Sequence, residues 1–88
     1  MIMPDYWENL TPRQRLNDAV HKYAQATGCG YADAWRAFER QWNAATGGDI
    51  GQERREYELR YGSLPTMPLY LEIIGKLNEA VELALTLR

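Results

Sequence analysis

Between residues 31 and 45 the chain places Tyr31, Trp35, Phe38, Trp42 and Ala45 at steps of 4, 3, 4 and 3. Only an α-helix, at about 3.6 residues per turn, gathers that spacing onto one side. A helix cannot bury such an aromatic face by itself, so the rest of the chain has to supply partners with stripes of their own. The preceding segment offers one. Thr11-Pro12-Arg13-Gln14 joins an N-cap residue, a proline at the first helical position and a glutamine three residues after the cap. Leu16, Ala19, Val20, Tyr23 and Ala24 follow at helical spacing until Thr27-Gly28-Cys29-Gly30 stops the helix. The short glycine-containing connection predicts an antiparallel or steeply crossed hairpin of these two helices, closed by Gly47-Gly48. Burial of one large aromatic contributes about 2–3 kcal/mol, so this hairpin is the expected folding core, with Trp35 and Phe38 inside it.

Asp49-Ile50-Gly51-Gln52 predicts a further helix start, and residues 53–61 are rich in helix formers until Gly62. Its apolar side is thin, with only Ile50, Tyr57 and Tyr61 sharing a face, which predicts a short surface helix. Pro65 and Pro68 mark a connector, with Pro68 at a first helical position. From Leu69 to Leu87 a stripe of Tyr70, Ile74, Leu77, Val81 and Ala84 keeps helical phase across Gly75, so a kinked helix and two helices joined at a turn both fit. Leu71, Leu83 and Leu87 lie off that stripe and call for burial on a second side. A homodimer through the C-terminal helix is one way to cover it; the amino-terminal arm is the other. Tyr6, Trp7 and Leu10 lie in that arm, an extended or turn-like stretch between Pro4 and Pro12. The expectation is an all-α fold: residues 1–11 as an arm and residues 12–88 as one small bundle of four to five helices built on an antiparallel helical hairpin.

At 88 residues the chain has room for one domain, which buries only about 60–65% of the surface its unfolded chain exposes. No apolar run approaches the roughly 18 residues needed to cross a bilayer, and the first residues lack the basic-then-apolar pattern of a secretion signal. One cysteine, Cys29, cannot form an internal disulfide, which suits a reducing cytoplasm. Ten Lys and Arg against twelve Asp and Glu give a net charge of −2, too balanced to advertise nucleic acid or membrane.

No reaction is written in the residues. His21 and Cys29 are the only soft ligands, fewer than the three or four a zinc site uses, and no residue is spaced to orient the imidazole for catalysis. Glu53 with Glu56 and Glu79 with Glu82 read as solvated helix charges. The glycines lack the Gly-Lys-Ser/Thr ending of a phosphate loop. No catalytic, cofactor-binding or metal-binding residue is assigned. Ten aromatic residues exceed what so small a core hides, and with arginine they have the composition that anchors protein interfaces. Tyr6, Trp7, Arg54, Arg55, Tyr57, Arg60 and Tyr61 are therefore the candidate partner-binding residues. The alternative is nucleic acid: Arg36, Arg40 and Asn43, at steps of four and three, form the outward row that a helix-turn-helix sets in a major groove. Asp33 and Glu39 beside that row oppose phosphate binding.

The run His21-Lys22-Tyr23, Thr27-Gly28-Cys29-Gly30-Tyr31-Ala32-Asp33-Ala34-Trp35 and Phe38, followed by Gly48-Asp49-Ile50, resembles a helical module of bacteriophage antirepressor-type and related small phage proteins. The tail Pro68-Leu69-Tyr70-Leu71-Glu72-Ile73-Ile74-Gly75-Lys76-Leu77, with Ala80 and Ala84, is similar to that module's closing helix-glycine-helix. Together these cover most of residues 20–85. The resemblance implies a phage or prophage origin and a role in regulating or interfering with a host process. Such a module usually trails a separate DNA-binding domain that this sequence does not contain, which favours a free-standing adaptor or inhibitor. The function expected is steric blockade of a host protein or complex in the bacterial cytoplasm, without catalysis; the alternative is a DNA-binding regulator using the Arg36, Arg40 and Asn43 face.

Overall fold

Six helical segments follow one another: α1 (Asp5–Glu8), α2 (Pro12–Thr27), α3 (Tyr31–Thr46), α4 (Ile50–Tyr61), α5 (Met67–Ile73) and α6 (Leu77–Leu85). The computed structural model describes the backbone of residues 5–87 and the side chains of residues 7–87; no strand occurs among them. Local chemistry sets the boundaries. The Thr11 N–H donates to Gln14 Oε1 at 2.8 Å and the Gln14 N–H donates back to Thr11 Oγ1 at 3.2 Å, satisfying two otherwise unpaired donors at the start of α2. Thr66 caps α5 with a single bond, its Oγ1 accepting from the Leu69 N–H at 3.3 Å, so that helix starts at Met67 and Pro68 sits one residue inside it.

Leu16, Val20, Phe38, Ile50 and Leu71 are fully buried, and no charged or polar side chain is buried among the described residues. The widest seam joins α2 to α6, ahead of the α2–α3 pairing. Ala19 and Ala24 on α2 and Ala80 and Ala84 on α6 are all buried, and such small side chains let two helix axes come close. The α2–α3 pair, expected to be the core, is thus one part of it.

The aromatic face of α3 is turned relative to expectation. Phe38 and Trp42 are buried, but Trp35 is half-buried, Ala45 is exposed and Tyr31 is 53% exposed, with its ring stacked on His21 at 4.2 Å. The buried arc runs through Ala34, Ala37, Phe38 and Trp42. Small side chains at 34 and 37 let α3 sit close to its neighbours, and that rotation carries Tyr31 and Trp35 to the rim.

The segment after the connector is two helices. Gly75 adopts φ 72°, a left-handed conformation that a side chain disfavours, and the Lys76 N–H closes the turn on the Leu71 carbonyl at 2.9 Å. Four residues of the expected stripe, Tyr70, Leu77, Val81 and Ala84, are buried on either side of this turn, whereas Ile74, next to it, is 36% exposed and Leu71, off the stripe, is fully buried. On α6, Leu77, Ala80, Val81 and Ala84 face the core, Leu83 packs partly against it, and of the large apolar side chains only Leu85 is exposed. Of the side chains that called for burial on a second side, Leu71 is fully buried, and Leu83 and Leu87 pack partly against the core.

Within the arm, which was expected to be extended or turn-like, residues 5–8 form one helical turn. Arg15 fastens it: its Nε donates to the Trp7 carbonyl at 3.1 Å, its Nη2 to the Glu8 carbonyl at 3.3 Å, and its guanidinium lies 5.6 Å from the centre of the Trp7 ring. Trp7 packs partly on the core. No described helix is long and apolar enough to cross a membrane.

The rotation of α3 sets up a contrast between two aromatic positions. Phe38→Ala should destabilise the fold by about 3–5 kcal/mol, and Tyr31→Ala by less than about 1 kcal/mol, measured by urea unfolding followed by circular dichroism. Similar losses at the two positions would contradict the buried arc.

Candidate functional site

Helix α4 has little with which to pack: Ile50 and Gly51 are its only buried residues. Polar ties hold it instead. Asp49 accepts from the Gln52 N–H at 3.1 Å, and Asn43 Oδ1, reaching over from α3, accepts from the Ile50 N–H at 2.9 Å. The two helices approach closely there, since a methyl group on Gly51 would lie 2.7 Å from Glu39 Oε2. Further along, Arg54 donates through Nε and Nη2 to the carbonyl of Pro65, at 2.9 and 2.8 Å, clipping the connector to the helix. The Tyr70 hydroxyl on α5 donates to Glu53 Oε1 at 3.0 Å, and the Tyr57 ring meets Tyr70 edge-on at 6.0 Å.

These ties leave an open groove of about 730 Å³ between α4 and α5. Its apolar wall is formed by Tyr57, Leu59, Tyr61, Ile73 and Ile74, with Leu59 87% exposed and Tyr61 63% exposed. Glu53, Glu56 and Arg60 also line it. Contiguous apolar side chains in water on so small a domain are the usual signature of an interaction surface. A second cleft, of about 740 Å³, lies where the amino-terminal turn of α2 meets α3, α4 and the start of α5. It presents Arg13, Arg36 and Arg54 around the half-buried Trp35, with Glu39 opposite in sign. Each of its guanidinium groups has a local acceptor: Glu72 for Arg13 at 3.3 Å, Asp33 for Arg36 at 2.7 Å and Pro65 O for Arg54.

The structure gathers only part of the expected partner-binding set. Tyr57, Arg60 and Tyr61 line the groove. Arg54 is turned away to the connector and the other cleft, Arg55 is exposed but lines neither, and Trp7 belongs to the α1–α2 junction. The Tyr6 side chain lies outside the described residues. Leu59, Ile73 and Ile74 were missed. Their signal was present, a lone leucine in a charged helix and two isoleucines just before a glycine, but it reads equally well as core.

Two residues of the candidate nucleic-acid row have partners within the chain. Asn43 Oδ1 is used by the Ile50 N–H, and Arg36 is paired with Asp33. Arg40 is exposed and makes no ion pair among the described residues. His21 is half-buried under Tyr31, and the Thr27 hydroxyl lies 3.2 Å from Cys29 Sγ. No group of three or more His, Cys, Asp or Glu side chains suited to a metal ion occurs among the described residues.

Burial first, then the hydrogen bond to Glu53 and the negative charges of Glu53 and Glu56, raise the pKa of Tyr70 above its usual value of 10.0. The folded state therefore holds this proton more tightly than the unfolded chain. The resulting stabilisation is complete below the unfolded value and is lost as pH rises through the folded one. Unfolding measured between pH 8 and about 11 should show a fall in stability above pH 10 that is smaller in Tyr70→Phe; an equal fall in both proteins would contradict the Tyr70–Glu53 contact.

Comparison of the chain with protein-family models, curated proteins and solved structures finds no match, so none of them bears on the resemblance to phage modules.

Proposed function

We propose that this chain is a non-catalytic binding module that receives a partner protein in the α4–α5 groove and acts by occupying that partner's surface. The observation that carries this reading is the row of Leu59, Tyr61, Ile73 and Ile74, apolar and solvent-facing along one groove. Tyrosines at interfaces bring large contact area at small cost in side-chain entropy, and Tyr57 is already braced by its contacts with Tyr61 and Tyr70. An apolar segment of the partner, in the manner of a helix laid in a groove, suits this geometry. Steric blockade of a host protein in a bacterial cytoplasm, as a small phage regulatory or inhibitory protein, is the setting in which we place this activity. Arg60, Glu53 and Glu56 in the lining of the groove add polar specificity.

Capture from bacterial lysate by three forms of the protein tests the reading. Wild type and the Arg36→Ala/Arg40→Ala variant should retain the same partner, while Leu59→Asp/Ile73→Asp should lose at least about tenfold in recovery, a loss of about 1.4 kcal/mol. All four positions are exposed, so circular dichroism should be unchanged in every form. Equal recovery by all three would remove the groove from the account. Loss confined to the arginine variant would move the site to α3 and favour nucleic acid.

A further inference from the structure

The groove is polar in a directional way. Along α4, Glu53 and Glu56 come first, Leu59 follows and Arg60 comes last. Glu56 and Arg60 are four residues apart and so share a face of the helix. Yet they make no ion pair with each other or with any other described residue. Both are exposed, and both line the same groove as the uncovered Leu59.

This order of charges is complementary to itself. A two-fold axis passing beside α4 at the level of Glu58, at right angles to the helix and midway between the copies, runs a second α4 antiparallel to the first. Glu56 then faces the partner's Arg60, Arg60 faces the partner's Glu56, and Leu59 lies beside its own counterpart. A two-fold interface requires this reciprocity, and Leu59 flanks the charged pair on one side of the seam. Ile73 and Ile74 on α5 widen the apolar floor on each side.

We propose that a second copy of this chain occupies the α4–α5 groove of the free protein, the two copies meeting through antiparallel α4 helices. The inference rests on reading this groove as a docking face, and makes the second copy a competitor of the partner protein. Helix α4 is only about 18 Å long, so the seam falls short of the roughly 800 Å² per partner of a standard stable interface. The dimer is therefore weak and reversible, and partner capture draws on its dissociation.

Sedimentation equilibrium of the full chain from about 10 µM to 1 mM tests it. The wild-type mass should rise with concentration from 10.2 kDa toward twice that value, and less steeply in high salt. Glu56→Arg alone sets like charges against each other across the seam, as does Arg60→Glu alone, and each should lower the association constant by at least about tenfold. Mixing these two singly substituted proteins should restore association, because every charge then meets its opposite, and the double substitution should restore it in one chain. Neither side chain supports the fold, so circular dichroism should be the same throughout. A wild-type mass of one chain at 1 mM overturns the proposal, and capture by the Leu59 and Ile73 variants still judges partner docking separately. A dimer indifferent to both reversals, or one not recovered by mixing, places the contact elsewhere and overturns it too.

Discussion

A twelve-residue helix with one fully buried large side chain cannot be held to a domain by apolar burial alone. Helix α4 is in that position, and the fold meets the difficulty with polar ties along its first half, from Asp49 to Arg54. Asn43 and Asp49 satisfy donors at its start, Arg54 grips the Pro65 carbonyl, and Glu53 accepts from Tyr70. A hydrogen bond contributes a net of about 0.5–1.5 kcal/mol, and somewhat more where one partner is charged, so a few of them stand in for the stripe that α4 lacks. They also determine which side chains stay outside. Because α4 is anchored at points and not pressed flat on the core, Leu59, Arg60 and Tyr61 remain in water.

The division of labour across the molecule follows. Helices α2, α3 and α6, with Met67, Tyr70 and Leu71 from α5 and Ile50 from the start of α4, carry the continuous apolar core. The α4–α5 side is charged, grooved and partly apolar, and its helix is the one least committed to the core. Segments with few buried contacts open at lower free energy than the domain as a whole, and binding faces are commonly drawn from them. The same side chains that leave α4 loosely held are those that offer a partner, or a second copy, its contact area.

Helix limits were legible in the sequence because their causes are local. A threonine cap with a glutamine three residues on, a proline in the first turn and a glycine at the end act within one turn of backbone, and Thr11, Gly28, Asp49 and Gly62 all serve as caps. The rotation of α3 was not legible, since Tyr31 and Ala34 both fit a helical stripe and only the neighbouring helices decide which faces inward. At Gly75 a kink and a turn both fitted a stripe in phase, and only the folded backbone decides for the turn, which keeps Tyr70, Leu77, Val81 and Ala84 inside, with Leu71, and leaves Ile74 in water. In the site, Tyr57, Arg60 and Tyr61 could be named from composition, whereas Arg54 and Asn43 could not be assigned to structural ties. An arginine's partner here is a carbonyl eleven residues away, and no side-chain pattern marks a carbonyl.

Hydrogen exchange by residue, at a protein concentration low enough to keep the chain monomeric, tests most directly whether α4 is tied at points to an independently stable core. Amides in the middle of α2 and α6 are expected to exchange only through global unfolding, and those of α4 through a separate local opening of clearly lower free energy. Protection of α4 equal to that of α2 and α6 would contradict it, and would make the groove part of a single cooperative unit.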